Sequence, residues 1–445
     1  MKIYSKSVDE HDEVPVADDG RADAVVARWS APDLRPAGGA ACYVVSVGRA
    51  AQEILGLVEA NGGIVVGHEA VRLTRRNPRT FLGSGACDSL GQRAREVGAT
   101  LLVFDAQLSP SQTRNIEDAT GLPVSDREIV ILGVFRRHAR SRAARIQIEI
   151  AHLHYLRPRI RGLGLDMDQQ AGGVMNGRGA GETASELLAR QLDGRLVVLQ
   201  RAAAKVERAS AQRRRRRDGC ARIALVGYTN AGKTSLMNAL TGSALSTRSR
   251  PFETLDTTSR CLTRHGGEVV LGDTVGFIRE LPARLLASFS STLAQAREAS
   301  LLALVVDLSD PEWPMHLRTT VEQLQQLGAD EIPRMLVFNK VDLLPEPIPE
   351  ETLAAAAEGH PFRTVSSFDA QAVDALRDAV IAAARAATHT QATLFVPYAA
   401  TGLSSEIYRS CAVRRSEARS DGVRLTVEGP THVVARLSRM AGELR

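Results

Sequence analysis

Apolar residues recur with two different spacings along the chain, and each spacing predicts one kind of structure. From "ACYVVSVG" to "GLPVSD", short apolar runs such as "GGIVVG" and "ATLLVFD" alternate with segments of helical character. The alternation returns in "RIALVGY", "EVVLGDT", "LLALVVDLSD", "RMLVFNKVD" and "FRTVSS", which have the composition of strands buried on both faces. Because strands that alternate with helices form parallel sheets, the sequence predicts two α/β units.

Between these units the spacing is helical, which predicts two long amphipathic helices. The apolar positions are Ile146, Ile150 and Leu153 in the first helix, and Leu188, Leu192, Leu196, Leu199 and Val206 in the second. Pro158 is expected to end the first helix, because proline lacks the backbone N–H that a helix needs. The stretch "RPRIRGLGLDMDQQAGGVMNGRGAGE" predicts a basic, glycine-rich loop at the tip of an αα-hairpin.

The two ends of the chain differ from this central part. Residues 1–38 are polar with little apolar periodicity, as expected for a disordered tail. The stretch from "TLFVPYAATG" to "VEGPTHVVARLSRM" alternates apolar and polar residues and predicts a small C-terminal domain. The expected divisions are a tail over 1–38, an α/β subdomain over 39–135, a basic helical hairpin over 136–217, a second α/β domain over 221–388 and a C-terminal domain over 392–445.

Basic residues are concentrated in the predicted hairpin. Residues 136–217 hold 19 Lys and Arg against 7 Asp and Glu, a net charge of +12, so the rest of the +5 chain carries −7. This asymmetry favours a polyanionic partner such as RNA, although a solvated helical face has the same composition. Arg157, Arg159, Arg161 and Arg178, near the glycine-rich turn, are candidates for contacting RNA phosphates.

The remaining composition narrows the class of protein. No apolar run approaches the roughly eighteen residues of a membrane helix, and the five cysteines show no metal-ligand spacing. A cytoplasmic protein with reduced thiols is therefore expected, without an obligate membrane partner; a partial membrane association stays open. Aromatic residues make up 4% of the chain, so base stacking is not expected as a main mode of RNA binding. The run Arg213–Arg217 either contacts RNA or solvates a linker.

The stretch "GYTNAGKTS" has the pattern of a phosphate-binding loop. Gly227, Gly232, Lys233 and Thr234 have the Walker A spacing, between a predicted strand and a predicted helix. The glycines allow backbone N–H groups to surround a β-phosphate at the positive end of a helix. Lys233 can reach the β- and γ-oxygens, and the Thr234 hydroxyl is suited to bind Mg²⁺. The alternative, a glycine-rich turn without a ligand, does not account for the flanking strand and helix.

The other parts of a nucleotide site follow in order. "GDTVGF" ends a predicted strand, so Asp273 is suited to hold Mg²⁺ through water and the Gly276 N–H to contact a γ-phosphate. "FNKVD" ends another, and Asp342 there can accept hydrogen bonds from guanine N1–H and N2–H₂, which adenine does not offer. Thr254 in "FETLDTTSR" is a candidate second Mg²⁺ ligand. These loops predict a GTP site in which Lys233, Thr254 and Gly276 act on the reacting phosphate.

The predicted site lacks a residue that orients the attacking water. Phe277 follows Gly276, where a glutamine would serve that purpose, and Phe277 is interpreted as a packing residue. Slow intrinsic hydrolysis, accelerated by a partner, is therefore expected.

Several of these stretches are similar to the HflX family of ribosome-associated GTPases. "GYTNAGKTSLMNALTG", "FETLDTTSR", "LGDTVGFIRELP" and "VFNKVD" match the nucleotide motifs of that family. "LSPSQTRNIE", "DREIVILGVF", "IQIEIAHLHYLRPRIRG", "GRGAGET" and "VPYAATG" extend the resemblance over about residues 40 to 445. It implies an N-terminal α/β part with a helical hairpin, an α/β P-loop GTPase domain (a mostly parallel sheet with helices on both faces) and a small C-terminal domain. It also implies binding to the large ribosomal subunit, with the hairpin loop reaching toward the peptidyl-transferase centre.

The resemblance implies the residues of the nucleotide site as well. The implied GTP contacts are Gly227, Tyr228, Thr229, Asn230, Ala231, Gly232, Lys233, Thr234, Phe252, Glu253, Thr254, Leu255, Asp256, Asp273, Thr274, Val275, Gly276, Asn339, Lys340, Val341, Asp342, Ser366, Ser367 and Phe368. The implied Mg²⁺ ligands are Thr234 and Thr254. Asn230 matches the residue that touches K⁺ in related potassium-stimulated GTPases.

The chain departs from the family pattern at several points. Ser366-Ser367-Phe368 replaces the usual base-contacting "SA", and "ETLDTTSR" lacks a proline that stiffens the switch in "ATLDPTTR". "GSGA" at 83–86 replaces "GKGK", and "RGAGE" at 178–182 replaces "RGPGE". A divergent paralogue with altered ribosome action is therefore also consistent with the sequence.

The leading hypothesis is a monomeric GTP/GDP switch that associates with the rRNA of the large ribosomal subunit and rescues or splits stalled ribosomes under stress. One alternative is a GTPase that acts in ribosome assembly or on another RNA. A second alternative is a nucleotide-dependent binding module with negligible turnover.

Overall fold

The computed structural model describes residues 39–48, 51–73, 75–170, 184–215, 221–243, 259–262, 269–282, 285 and 295–443. The expected tail over 1–38, the segment Phe252–Asp256, Arg178 and the side chain of Arg161 lie outside the described residues. No helix in the described ranges is long and apolar enough to cross a membrane. Among the described residues, Cys42, Cys87, Cys261 and Cys411 are free thiols.

The first sheet has four parallel strands in the order β2-β1-β3-β4. The strands are β1 (Ala41–Val47), β2 (Ile64–Val71), β3 (Leu101–Phe104) and β4 (Val124–Asp126). The connecting helices are α1 (Gln52–Ala60), α2 (Ser84–Glu96) and α3 (Pro110–Thr120). Because β1 pairs with β2 on one side and with β3 on the other, the strand order reverses between β1 and β3. In open α/β sheets the carboxyl ends of the strands form a crevice at such a point.

Helix α4 (Arg127–His138) follows β4 directly and is not among the elements expected from the sequence. Asp126 ends the strand and caps the helix, because its carboxylate accepts a hydrogen bond from the Ile129 backbone N–H at 3.0 Å. Residues 127–135 are all buried, so this helix has no polar face to reveal its period in the sequence. Together, β1–β4 and α1–α4 are called the N-terminal unit below.

The predicted hairpin is present as α5 (Arg142–Gln170) and α6 (Ala184–Arg215). The predicted apolar positions pack against one another between the two helices, with Ile146, Leu153, Leu192, Leu196 and Leu199 buried. The expectation that Pro158 ends the first helix is wrong, since α5 continues through it to Gln170. Nearby, the Arg159 guanidinium donates to the Tyr155 carbonyl at 3.1 Å, which supplies a side-chain donor to the helix backbone close to the proline.

The second α/β unit, called the G domain below, contains a six-stranded sheet in the order β10-β9-β8-β5-β7-β6. Its strands are β5 (Ala221–Gly227), β6 (Ser259–Cys261), β7 (Val269–Asp273), β8 (Leu301–Asp307), β9 (Arg334–Asn339) and β10 (Phe362–Val365). Only the short β6 is antiparallel among these strands, so the mostly parallel sheet expected from the sequence is confirmed. Its helices are α7 (Lys233–Thr241), α8 (Trp313–Gln326), α9 (Glu350–Ala357) and α10 (Ala370–Thr388).

The last part of the chain is an antiparallel sheet covered by helices. Strands β11 (His389–Pro397), β12 (Ala412–Ala418) and β13 (Gly422–Pro430) pair in the order β11-β13-β12. Helices α11 (Thr401–Ser410) and α12 (Thr431–Glu443) pack against it around Leu394, Ile407, Val427 and Leu437.

The N-terminal unit and the G domain share one apolar core. A single cluster of buried side chains contains Ile129 and Ile131 of α4 together with Phe277 and Ile278 of the G domain. Burial of apolar surface between two units resists their separation. The carboxyl edges of the two parallel sheets are therefore held close to each other.

Candidate functional site

The glycine-rich loop connects β5 to α7 at the carboxyl edge of the G-domain sheet. Gly232 precedes the helix with φ +87°, in the left-handed region that favours glycine, and a Cβ there would collide with the Asn339 side-chain nitrogen. Asn230 also has a positive φ, of 61°. The backbone of Gly227–Gly232 therefore has the curvature that lets N–H groups converge on an anion.

Lys233 is buried at the start of α7. Its ammonium donates to the carbonyls of Gly227 at 3.1 Å and Tyr228 at 2.7 Å. Burial lowers its pKa to about 8, an effect that the Asp273 carboxylate opposes and the Lys340 ammonium reinforces. The cation thus lies inside the loop, where the negative charge of a phosphate would restore its proton affinity.

Thr234 and Asp273 come together although they are distant in sequence. The Thr234 hydroxyl donates to a carboxylate oxygen of Asp273, the last residue of β7, at 2.8 Å. A hydroxyl and a carboxylate beside a phosphate loop are the hard oxygen ligands that Mg²⁺ prefers, so these two residues fit that ion. The described residues contain no cluster of three or more His, Cys, Asp or Glu side chains that would form an all-protein metal site.

The segment after Asp273 passes directly over the phosphate loop. A Cβ on Gly276 would come within 2.8 Å of the Thr229 Cα and 3.0 Å of the Lys233 nitrogen, so glycine is required there. Phe277 is 1% exposed, and its backbone bonds to Gly227 and Thr229 at 3.0 and 2.7 Å. The interpretation of Phe277 as a packing residue is confirmed. Thr274 is also buried, with its hydroxyl donating to the Leu225 carbonyl at 2.7 Å.

The residues expected to contact the base lie at the ends of β9 and β10. The Asn339 amide donates to the Ala231 carbonyl at 3.0 Å, and the Ser367 hydroxyl donates to the Asn339 amide oxygen at 3.2 Å. Lys340 pairs with Asp307 at 2.6 Å. Val341 and Asp342 begin a short 3₁₀ helix, in which the Asp342 side chain is exposed.

The third of the expected base loops departs most from the family pattern and is the most open. Phe368 is 90% exposed, whereas the preceding Ser366 is buried and its hydroxyl accepts a hydrogen bond from the Phe368 N–H at 3.3 Å. Direct contacts thus connect the phosphate loop with Asp273, Gly276 and Asn339 of the predicted set, and Asn339 with Ser367. Phe252, Glu253, Thr254, Leu255 and Asp256 lie outside the described residues, so their roles stay predictions.

Two of the arginines expected to contact RNA have partners within the protein. Arg159 donates to the Asp126 carboxylate at 3.0 Å and the Leu108 carbonyl at 2.9 Å, and its guanidinium lies over the Tyr155 ring. Arg159 therefore anchors the hairpin on the N-terminal unit. The prediction that it lies in a loop that binds RNA is wrong, because it lies within α5 and is bonded to Asp126. Arg157 is exposed and pairs with Asp193 on α6. A cluster of arginines in the sequence does not distinguish solvent-facing guanidinium groups from paired ones.

A buried ionic cluster that was not predicted from the sequence lies between the N-terminal unit and the phosphate loop. Arg127 is 1% exposed and pairs with Glu53 and Asp105, and Glu53 also contacts Arg279 and the Tyr228 hydroxyl. A cavity of about 240 Å³ adjoins this cluster and the loop residues Tyr228–Ala231. The only sequence signal was that Arg127 and Arg279 fall inside the stretches "DREIVILGVF" and "LGDTVGFIRELP".

Three features define this class of site: a glycine loop follows a parallel strand, a buried lysine starts the next helix, and polar side chains lie at the ends of the following strands. The protein is therefore a P-loop GTPase. Models of three families match the chain: a GTP-binding GTPase N-terminal region over residues 49–136, a GTP-binding GTPase middle region over 138–217 and a 50S ribosome-binding GTPase over 222–340.

Comparison with related proteins identifies the family of GTPases to which the chain belongs. The chain is 45% identical over 342 residues to the GTPase HflX of Gluconacetobacter diazotrophicus, covering 76% of this chain and 73% of that protein. It is 41% identical over 348 residues to the GTPase HflX of Spirochaeta thermophila, covering 77% and 84%. A GTP-binding protein from Sulfolobus solfataricus in complex with GDP is similar in structure, with a TM-score of 0.43, 23% identity and coverage of 77% of this chain and 98% of that one. The chain belongs to the HflX family of GTPases and is a GTP-hydrolysing enzyme.

Proposed function

We propose that this GTPase associates in the cytoplasm with the rRNA of the large ribosomal subunit and that it rescues or splits stalled ribosomes under stress. The family supports this proposal, because the model that matches residues 222–340 describes a 50S ribosome-binding GTPase. The observation that carries it is the surface of α6. One face of this helix exposes Arg190, Arg201, Lys205 and Arg208, at spacings that place them on the same side of the helix.

The exposed face of α6 has the chemistry of a phosphate-binding surface. Its four cations lie within the segment that carries a net charge of +12, and phosphate contacts by Lys and Arg position a protein on RNA without reading sequence. Leu187, Val197 and Val198 are exposed on the same helix, at 45–49% of their surface. Such a surface suits a partner that offers both charge and apolar contact, as folded RNA does with its backbone and base edges.

The nucleotide site supplies the switch in this proposal. The backbone of Gly227–Gly232 and Lys233 would hold the phosphates, and Asp342 with Ser366–Phe368 would hold guanine. Mg²⁺ would be held by Thr234 and Thr254, with Asp273 acting through water. Asn230 is a candidate ligand of K⁺. The metal supplies charge neutralisation on the phosphate oxygens. Because Phe277 is packed in the core, full hydrolysis is expected to need a partner that orders the site.

Large-subunit binding at several salt concentrations tests the RNA interface. Substituting Arg190, Arg201, Lys205 and Arg208 by Gln is expected to weaken binding and to reduce the salt slope by about one unit for each lost phosphate contact. The matched control replaces four exposed arginines of the C-terminal sheet and helices, Arg409, Arg415, Arg424 and Arg439, by Gln. An unchanged slope in the α6 variant, or an equal loss in the control, contradicts an interface on α6.

Hydrolysis and sedimentation test the ribosomal role. Purified large subunits are expected to accelerate GTP hydrolysis, and 70S particles incubated with the protein and GTP are expected to separate into subunits on a gradient. Intact 70S particles under those conditions contradict splitting. Stimulation of hydrolysis without splitting would instead favour a role in ribosome assembly.

A further inference from the structure

The carboxylate of Glu53 joins the N-terminal unit to the nucleotide site. One of its oxygens accepts from the Arg127 guanidinium, and the other accepts from the Tyr228 hydroxyl and from Arg279, at 3.3 Å for the Arg279 Nε. Glu53 lies in the first turn of α1, directly beyond the carboxyl end of β1. This is the point where the strand order of the first sheet reverses, and the side chains of Tyr228 and Arg279 from the G domain reach Glu53 there.

The two G-domain partners of Glu53 belong to the loops that surround the phosphates. Tyr228 is the second residue of the phosphate loop, and its own carbonyl accepts from the Lys233 ammonium at 2.7 Å. Arg279 follows Gly276 by three residues, and its backbone N–H donates to the Tyr228 hydroxyl at 3.1 Å. One carboxylate of the N-terminal unit therefore contacts both the phosphate loop and the segment after Asp273.

The position of the Tyr228 ring is fixed on its remaining side by His316 of α8. The two rings are stacked at 3.8 Å between centroids with an angle of 11° between their planes. Arg279 also reaches Glu312 at 3.4 Å, at the start of the same helix. The ring is thus held by packing on the G-domain side, whereas its hydroxyl is oriented by a group of the N-terminal unit.

We propose that Glu53 is a positioning residue for nucleotide binding: by holding the Tyr228 hydroxyl and Arg279, the N-terminal unit keeps the phosphate loop in the curvature that binds the nucleotide. Loss of this carboxylate leaves the guanine contacts and the Thr234–Asp273 pair in place but loosens the loop. Ordering the loop then opposes binding, and nucleotide release becomes faster. By linkage, nucleotide binding stabilises the contact between the two units to the same extent.

The structure provides a matched control in the same unit. Glu69 of β2 accepts from the Tyr43 hydroxyl at 3.1 Å and from Arg93 at 2.9 Å, which repeats the Tyr–Glu–Arg chemistry at a distance from the phosphate loop. Glu53→Gln and Glu69→Gln therefore remove the same kind of carboxylate from the same unit. Tyr228→Phe is a second variant that keeps the stacked ring and removes only the hydroxyl.

The experiment measures release of a fluorescent GDP analogue and steady-state hydrolysis in the full-length protein without ribosomes. Glu53→Gln and Tyr228→Phe are each expected to speed release by about tenfold, as for one lost charge-assisted hydrogen bond, and to raise the KM for GTP more than they lower kcat. A smaller folded fraction alone would lower kcat and leave KM unchanged. Glu69→Gln is expected to release GDP at the original rate.

A double-mutant cycle tests whether Glu53 acts through Tyr228. The combined variant Glu53→Gln with Tyr228→Phe is expected to release GDP more slowly than the product of the two single effects, because both substitutions remove the Glu53–Tyr228 hydrogen bond. Fully additive effects, an unchanged release rate in both single variants, or equal acceleration by Glu69→Gln would each overturn the proposal. Since ribosomes are absent from the assay, its outcome is independent of the proposed ribosomal function.

Discussion

The two parallel sheets of this chain use the same kind of edge in different ways. At the carboxyl edge of the G-domain sheet, Gly227 and Gly232 keep the backbone free of side chains, and Asp342 is exposed. At the carboxyl edge of the N-terminal sheet, Asp105 and Asp126 are buried and bonded to Arg127 and Arg159. One edge is shaped to receive a ligand, and the other is filled by side chains of its own protein.

The filled edge shows what replaces a ligand in such a crevice. Asp126 accepts from the Leu108 and Ile129 backbone N–H groups, from the Tyr155 hydroxyl and from Arg159. These bonds hold α5 of the hairpin against the N-terminal sheet, and the neighbouring Arg127 cluster holds the G domain there. The N-terminal unit therefore acts as the joint between the RNA-binding candidate and the nucleotide site, because Asp126 bonds to the hairpin and Arg127 donates to the Arg279 carbonyl of the G domain.

Removing Arg127 is expected to have the largest effect on this joint. Arg127→Met leaves the buried Glu53 and Asp105 carboxylates without their main cation, so the free energy of unfolding is expected to fall by about 3–5 kcal/mol. Chemical denaturation monitored by circular dichroism measures this loss. Arg93→Met removes the partially exposed partner of Glu69 and is the control, with a loss of about 1 kcal/mol or less. Equal losses in the two variants contradict the assignment of the joint to Arg127.

The residues of the open edge were predictable because each belongs to a short motif with fixed spacing. Lys233 and Thr234 follow the glycine loop directly, and Asp273 and Asn339 end strands whose apolar runs are continuous in the sequence. Since parallel strands align their carboxyl ends, the order of the motifs along the chain was enough to predict that these side chains meet.

The residues of the filled edge could not be predicted in this way. Glu53, Asp105 and Arg127 come from separate elements, and nothing local to any one of them indicates a buried ion pair. Arg159 was assigned to a solvent-facing loop because its charge and the following glycines suggested one, whereas α5 continues and carries it onto Asp126. Helix α4 was missed because it is buried along most of its length and its apolar residues form one run.

The open edge makes a second prediction, on the base. Asp342→Asn is expected to weaken GDP binding by about a hundredfold or more, because the asparagine N–H₂ group would face the N2–H₂ donor of guanine. The same variant is expected to bind XDP better, because that N–H₂ group can donate to the 2-keto oxygen of xanthine. Calorimetric titration with GDP and XDP measures both affinities. The control Asp330→Asn removes an exposed carboxylate elsewhere in the G domain and is expected to change neither. Unchanged GDP affinity in Asp342→Asn contradicts the assignment of the base contact.

The smallest expected effect is on the pH dependence of stability, and it comes from a buried side chain of the hairpin region that has no hydrogen-bond partner at one of its nitrogen atoms. His152 of α5 is 6% exposed, its Nε2 atom has no hydrogen-bond partner, and burial beside Arg136 lowers its pKa to about 4. As the pH falls below 6.5, the unfolded imidazole takes up a proton, whereas the folded one does not until about pH 4. The stability of the folded state is therefore lost between these two values, by about 2 kcal/mol at pH 5.

Comparing His152→Leu with the half-buried neighbour His154→Gln isolates this contribution. The free energy of unfolding at pH 7.5 and pH 5, from urea titrations, is expected to differ less in His152→Leu than in the unsubstituted protein, by about 2 kcal/mol. His154→Gln is expected to keep most of the original pH dependence. If His152→Leu keeps the full dependence, the imidazole is protonated in the folded state. It would then have found a partner, and the hairpin region would follow the same rule as Asp126 and Arg127, in which buried ionised groups are paired.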